Sequence, residues 1–311
     1  SSSSDEQPKL INIANKIISD EDVIAVIGSF GSSVSMAAAP VYQKGRVPMI
    51  SPNTSHVDFP GMGDLLVPIS PTSELERSAC ADVLYNQFGG DLAILHQNTD
   101  LGLTGGQMLK EYYEELGGDV IMVENFVPST TKDFTPILSK IKAENPSILY
   151  IDGEYPDVAN IIIQINEVGL TDVQVAGPGN VFKKEFLDIV GDKADGTVFV
   201  GTTPVYLESI MNQPNDYSDY LIDVANRYNE KYTDVFFDGF AACAYDAAMM
   251  AMHAAVNVGT DDPDLLVQEM VSNPIEITSG GEISYFDHNR VKKNVFMYTV
   301  KDGEFQPYLL K

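Results

Sequence analysis

The feature that most constrains this chain is a repeated alternation. Short apolar runs are separated by stretches whose apolar residues recur every three or four positions. Leu10, Ile13, Ala14 and Ile17 share one helical face, and the run 23–27 follows. A small-residue helical stretch, 34–44, leads to the strand-like 47–50. Leu75, Ala79, Val83 and Leu84 make a stripe before 92–95, and Met108, Tyr112 and Leu116 make the next, closed by Gly117-Gly118 as a helix stop. The alternation continues through strand 120–123, the face Phe134, Ile137, Leu138 and Ile141, and strand 148–151. It ends with Val158, Ile161, Ile162 and Ile165, strand 173–176, Phe182, Phe186 and Ile189, and strand 198–200. A parallel strand reaches its neighbour only through a crossover, usually a helix. The pattern therefore predicts an α/β chain of doubly wound lobes, each a parallel sheet covered by helices.

Beyond residue 204 the rhythm changes. Tyr217, Tyr220, Leu221, Val224 and Tyr228 mark one helix, and 240–258 a long one rich in Ala and Met. Met249, Met250 and Met252 read as core filler in preference to a soft binding surface. The C-terminus reads as strands 282–286 and 295–300, a Lys301-Asp302-Gly303 turn, and strand 305–310. A chain of 311 residues is long enough for two such lobes, and 44% hydrophobic with 21% charged residues is the composition of a folded protein, not a disordered one.

Charge then narrows the partners. Asp and Glu number 45 against 19 Lys and Arg, a net charge of −26, so phosphate backbones and anionic membrane surfaces repel the chain and nucleic acid is excluded as a partner. An ordinary acidic soluble protein is the reading, with a halophile as the alternative. Two cysteines, Cys80 and Cys243, cannot build a disulfide scaffold or a four-thiolate zinc site. Both sit in apolar helical patterns and read as buried free thiols, with a bond between them as the alternative. No apolar run reaches the roughly 18 residues of a membrane span, and no signal-peptide pattern opens the sequence. The serine run 1–4 with Asp5, Glu6 and Gln7 reads as a solvated linker; a tether left after a removed targeting segment would read the same way.

Ligands of open parallel sheets sit at the carboxyl ends of the strands. The loop after 23–27 is Gly28-Ser29-Phe30-Gly31-Ser32-Ser33, and it opens a helix. Glycine allows close backbone approach, the helix start presents free N–H groups, and serine adds hydroxyl donors, so the loop suits a carboxylate or a phosphate. Taken alone it reads first as a serine N-cap. The next strand ends in Ile50-Ser51-Pro52-Asn53-Thr54-Ser55, a second hydroxyl-rich loop expected to lie beside the first. Together they point to a small polar ligand. Enzyme signatures are missing: there is no G-x-x-x-x-G-K-[ST], H-E-x-x-H, C-x-x-C or G-x-S-x-G, and Gly61-Met62-Gly63-Asp64 after Pro60 is a turn. His56, His96, His253 and His288 are scattered, which offers no metal site and no obvious base. No cofactor is expected.

At these two loops the sequence resembles a known family. VIGSFGSSVSMAAAPVYQKGRVPMISPNTS (26–55) is similar to the type I periplasmic solute-binding proteins of ABC transporters, in the leucine/isoleucine/valine-binding branch. DLAILHQNTDLG (91–102), KDFTPILSKIKAENPSILYI (132–151) and AYDAAMMAMHAA (244–255) extend the match over essentially the whole chain. The resemblance implies two lobes joined by a three-strand hinge, with crossovers near 70–73, 201–204 and 280–283. Lobe 1 is then 1–72 and 203–280, and lobe 2 is 73–202 and 281–311. It implies a binding protein, not an enzyme, that encloses an amino acid, branched-chain or otherwise, or a similar small carboxylate between closing lobes. It further implies an ABC permease as partner and an extracytoplasmic location, in the periplasm or at the cell surface as a lipoprotein whose anchor is its only membrane contact. A ligand-sensing receptor of the same fold, or an α/β enzyme, are the alternatives.

Residue by residue, Ser32 matches the family serine that binds the ligand carboxylate, with Phe30 and Ser33 in the same loop. Asn53 matches a position of backbone contacts, and Ser55, beside Thr54, matches a hydroxyl of the same clamp. Lobe 2 departs from the pattern. Leu101 stands where an aromatic precedes glycine, Glu154 with Tyr155 stands where a stacking tyrosine is usual, and Gly179 stands where an acid binds the ligand's ammonium. Asp152 or Glu154 could replace that acid, since an enclosed ammonium needs an anion. Phe236 and Phe237 match a region that reaches the cleft from lobe 1. The family also begins with a strand, a helix and a second strand before the helix that here starts near Pro8, so lobe 1 is expected to lack its first β-α-β and to leave 23–27 as a bare edge. A fragment, an edge covered by another chain and an incomplete lobe all fit that expectation.

Overall fold

The computed structural model describes residues 6–29, 31–211, 219–232, 235 and 237–308. In chain order the elements are α1 (Glu6–Ile18), β1 (Val26–Ile27), α2 (Ser32–Gly45), β2 (Met49–Ser51), β3 (Leu66–Pro68), α3 (Ser73–Val83) and β4 (Asp91–Gln97). Next come α4 (Asp100–Glu115), β5 (Asp119–Phe126), α5 (Thr135–Glu144), β6 (Ile148–Asp152), α6 (Tyr155–Val168), β7 (Gln174–Pro178), α7 (Lys184–Val190) and β8 (Val198–Gly201). The chain finishes with α8 (Glu208–Met211), α9 (Asp219–Lys231), α10 (Gly239–Val258), α11 (Pro263–Ser272), β9 (Ile283–Phe286), β10 (Arg290–Lys293), β11 (Phe296–Lys301) and β12 (Glu304–Pro307). The alternation read from the sequence is the alternation of the fold. The chain divides into two compact units: unit 1 is Ser1–Ser73 with Asp216–Asn294, and unit 2 is Glu74–Asn215 with Val295–Lys311.

Unit 1 is built on a parallel three-stranded sheet, β1-β2-β3. Side chains alternate across a strand, so Met49 and Leu66 point to one face and Ile50 and Val67 to the other. The first pair meets Ala14 of α1 and Ala38, Ala39 and Tyr42 of α2. The second meets Cys243, Ala247 and Met250 of α10 and Leu266 and Met270 of α11. β1 forms an edge of this sheet, and Ile24 and Ile27 are 39% and 45% exposed there. α10 is capped by Asp238, whose carboxylate accepts the N–H groups of Phe240 and Ala241, and ends on Gly259 in the left-handed conformation. Its methionines divide: Met250 is core, as expected, while Met252 is exposed. Ile13, placed on the buried face of α1 by periodicity, is also exposed.

Unit 2 carries a seven-stranded sheet in the order β12-β11-β8-β7-β6-β4-β5. β8, β7, β6, β4 and β5 are parallel, and β11 and β12 extend the sheet antiparallel. One face buries Cys80 of α3, Leu84 just after it, and Leu109 and Tyr113 of α4 against Leu92, Ile94, Ile148 and Tyr150. From β4 the chain steps outward to β5 and then returns past β4 to β6. The strand order therefore reverses between β4 and β6, and the crevice at such a switch point is where doubly wound sheets bind ligands. Both cysteines are free and buried, Cys80 in unit 2 and Cys243 in unit 1.

The lobe boundaries differ from those read off the sequence. The divisions fall after residues 73, 215 and 294, not 72, 202 and 280. Val205 and Tyr206 are buried, and the Val205 N–H donates to the Tyr298 hydroxyl of β11, which holds that stretch in unit 2. β9 and β10 form a hairpin over His288 and Asn289, both at positive φ, that packs on unit 1. The Tyr285 hydroxyl donates to the Pro68 carbonyl, and the Asn289 amide to the carbonyl of Leu66.

Candidate functional site

The two serine-rich loops of unit 1 leave the carboxyl ends of adjacent parallel strands, β1 and β2. A buried row of hydroxyls joins them. Ser51 and Thr54 share a hydrogen bond, Thr54 Oγ1 donates to Ser35 Oγ at 2.7 Å, and Ser35 Oγ donates to the Gly31 carbonyl at 3.1 Å. The Ser29 N–H donates to the same Ser35 oxygen. Ser35, Ser51 and Thr54 are all buried, so this row sets the spacing of the loops. Gly31 sits at the start of α2 with φ 89°, a conformation that favours glycine. The Ser73 N–H and the Ser70 hydroxyl hold the second loop through the carbonyls of Ser55 and Pro52.

This placement sorts the unit-1 candidates. Ser32, Asn53 and Ser55 are partly exposed beside the hydroxyl row, and Ser33 is exposed on the first turn of α2. Thr54 is 2% exposed with its hydroxyl engaged on both sides, so it positions the loops and does not face a ligand. The N–H groups of the first turn of α2 have no partners within the helix and carry its partial positive charge. Hydroxyls beside them are chemistry suited to a carboxylate. Phe30 and Phe236 lie outside the described residues, and Phe237 is a buried core aromatic against Tyr228. Ser35, which ties the loops together, has no sequence signal beyond its place one turn after Ser32.

In unit 2 the strand ends carry the lobe-2 candidates. Leu101 is half exposed on the first turn of α4, whose Thr99 cap accepts the Gly102 N–H. Glu154 is exposed at the start of α6 and caps no N–H group; Tyr155 follows, partly buried, with the Lys183 ammonium 5.7 Å from its ring centre. Gly179 begins the turn after β7. A Cβ there would lie 2.7 Å from Gly201 Cα and 2.7 Å from the Phe182 ring, so the backbone has no room for an acid at this position.

Asp152 is not available in the way the sequence implied. At the end of β6 it accepts the Arg77 guanidinium at 2.7 Å, and both side chains are 4% exposed. Arg77 also donates to Glu76 at 3.3 Å, and its guanidinium lies 5.9 Å from the Tyr150 ring centre. The backbone N–H of Gly179 also acts on the Glu76 carboxyl, drawing its pKa down. Burial works against the Arg77 charge, yet Asp152, then Tyr150 and Glu76, hold its pKa well above the ordinary value. Burial raises the Glu76 carboxyl above its usual range, against the opposing pull of Arg77 and the Gly179 N–H. Gly105 of α4 makes the cluster possible, because a Cβ there would stand 2.9 Å from Arg77 Nε and 3.2 Å from Asp152 Oδ2. Sequence reasoning missed Glu76 and Arg77. The adjacent opposite charges at the start of α3 look like a solvated helix turn until β6 is set beside them.

Both units thus carry polar loops at the carboxyl ends of parallel strands, the place where open α/β sheets bind ligands. The sequence profile of the periplasmic binding protein family matches residues 6–304, and the chain belongs to that family, in its type I, leucine/isoleucine/valine-binding branch. It is 27% identical over 280 residues to the Leu/Ile/Val-binding protein homolog 2 of Brucella abortus, covering 88% of this chain and 71% of that protein. Its fold is similar to a leucine binding protein from Thermotoga maritima, with a TM-score of 0.79 and 24% identity over 97% of this chain and 84% of the other. It is also similar to an ABC-transporter solute binding protein from Rhodopseudomonas palustris in complex with 3,4-dihydroxybenzoic acid, with a TM-score of 0.78 and 22% identity over 96% and 81% of the two chains.

Proposed function

We propose that this chain is the extracytoplasmic solute-binding component of an ABC transporter, and that its ligand is an amino acid or a similar small carboxylate. The observation that carries the reading is the unit-1 clamp: two hydroxyl-rich loops, fixed by the buried Ser51–Thr54–Ser35 row, at the start of α2. The Ser32 and Ser55 hydroxyls and the open N–H groups of the α2 first turn hold the carboxylate, with backbone groups at Asn53 completing the clamp. Relatives named for leucine, isoleucine and valine, and one bound to a dihydroxybenzoic acid, share a carboxylate as their common chemistry. Capture by closing lobes needs only that the ligand bind the closed state more tightly than the open one; an ABC permease is the partner that reads that state.

The family supports a location outside the cytoplasm, in the periplasm or on the cell surface through a lipid anchor. Among the described residues no helix is long and apolar enough to cross a membrane. The net charge of −26 fits a protein that meets the membrane through a partner and not through its lipid surface.

A thermal-shift screen of the twenty amino acids and common carboxylates tests the class, because a ligand at a hundred times its Kd adds about 2.7 kcal/mol of stability. For whichever compound binds, Ser32→Ala is expected to weaken calorimetric affinity about ten-fold, the effect of losing one hydrogen bond to a charged group. Unchanged affinity in both Ser32→Ala and Ser55→Ala would refute the carboxylate clamp.

A further inference from the structure

We infer that Glu76 of α3 is the anion that unit 2 presents to a ligand's ammonium, and that the protein therefore prefers zwitterionic amino acids over carboxylates without an amine. This rests on the solute-binding function proposed above. Three observations carry it. The first is a charge count. One guanidinium, Arg77, serves two carboxylates, Asp152 and Glu76, so the cluster keeps one negative charge that its own members do not cancel. An enclosed, uncompensated carboxylate takes up either a proton or a cation.

The second observation is accessibility. The Arg77 and Asp152 side chains are 4% exposed and consumed by each other, whereas the Glu76 side chain is 23% exposed, so Glu76 is the member an incoming group can reach. The third is position. Arg77 bonds both Glu76 and Asp152, and Asp152 ends β6, which places the open charge beside the β4/β6 switch point of the sheet. Contact between Gly179, Gly201 and Phe182 forbids a side chain at 179, so no acid is supplied from that position. Glu154 is the weaker candidate: it is exposed, and the start of α6 already favours its charge. A ligand with only a carboxylate brings no cation to Glu76 and is disfavoured by it.

The test is calorimetry with leucine, valine, glutamate and phenylalanine, each beside the acid that lacks its amine: isocaproate, isovalerate, glutarate and hydrocinnamate. The wild-type protein is expected to bind at least one amino acid more tightly than its partner acid. Glu76→Gln should weaken that amino acid roughly thirty-fold or more, as when one member of an enclosed charge pair is lost, while the partner acid is unchanged or improved. Glu76→Asp, which keeps the charge, should restore part of the preference, and Glu154→Gln should leave it intact. Thermal melts of the three variants confirm that the comparison is made on folded protein. Equal weakening of both compounds in Glu76→Gln, a lost preference in Glu154→Gln alone, or a wild-type protein that binds the acids and no amino acid would each overturn the role of Glu76 while leaving the solute-binding reading in place. Binding of no compound in the full thermal-shift screen of amino acids and carboxylates would overturn both.

Discussion

Arg77→Ala is expected to destabilise unit 2 by about 3–5 kcal/mol, the usual loss when one partner of a buried ion pair is removed. The effect is large because the guanidinium and the Asp152 carboxylate are both 4% exposed, so deleting one leaves the other in a medium that solvates it poorly. The Arg77 stem and its contact with Tyr150 are lost as well. Arg46–Asp264 in unit 1 provides the contrast: its side chains are 53% and 65% exposed, and Arg46→Ala should cost less than about 1 kcal/mol. The sequence contains no tryptophan, so urea unfolding is best followed by far-ultraviolet circular dichroism. Similar small losses for the two variants would mean that water reaches the Arg77 pair and screens it. Pairing Arg77→Met with Asp152→Leu should recover much of the loss, since well-packed apolar residues often replace a buried ion pair without penalty.

What the sequence made legible is what local pattern encodes. The βα alternation, the long α10 and the two serine loops follow from periods of two and 3.6 and from glycine at a helix start. The proximity of the loops was also readable, because consecutive strands of a parallel sheet usually pair. Other features depend on register between distant segments. Arg77 and Asp152 are 75 residues apart and meet only when α3 packs over the end of β6. The missing acid at 179 is visible in the sequence, but the contact with Gly201 and Phe182 that excludes it is not. β3 was missed because its three residues lie between Asp64-Leu65 and Ser70 with no period to read. β10 was missed because Arg290-Val291-Lys292-Lys293 looks like a solvated turn, whereas Lys293 is buried. That hairpin, assigned to lobe 2 from sequence, follows its apolar face onto unit 1, where Ile277, Ile283 and Val291 pack together.

The buried Lys293 leads to the second large effect, which is expected for Asp246→Ala. Asp246 is 1% exposed on α10. One carboxylate oxygen accepts the Thr278 N–H at 2.7 Å and the Thr278 hydroxyl at 2.8 Å, and the other accepts the Ser279 N–H at 2.8 Å. Ser279 Oγ then accepts the Lys293 ammonium at 2.7 Å, so α10, the 278–279 segment and β10 are joined through one carboxylate. Alanine leaves buried N–H groups without acceptors and removes a carboxylate that supports the charge of a buried ammonium, for a loss of about 3–5 kcal/mol. Asp238→Ala, which removes only the cap of the same helix, should cost about 1 kcal/mol and sets the scale for an ordinary helix-end hydrogen bond. The pH dependence separates the two parts of the Asp246 effect. Burial lowers the Lys293 pKa, while Cys243 and Asp246 pull it back up, so the folded state holds this proton less well than the unfolded chain does. The resulting penalty is fully present below the lowered pKa and is relieved as pH rises through it toward the ordinary lysine range. Losing Asp246 lowers that pKa further, so the deficit of the variant against wild type should narrow at alkaline pH by the electrostatic share and keep the share due to the orphaned N–H groups. A deficit that is flat with pH and no larger than that of Asp238→Ala would show that water takes over the role of the carboxylate.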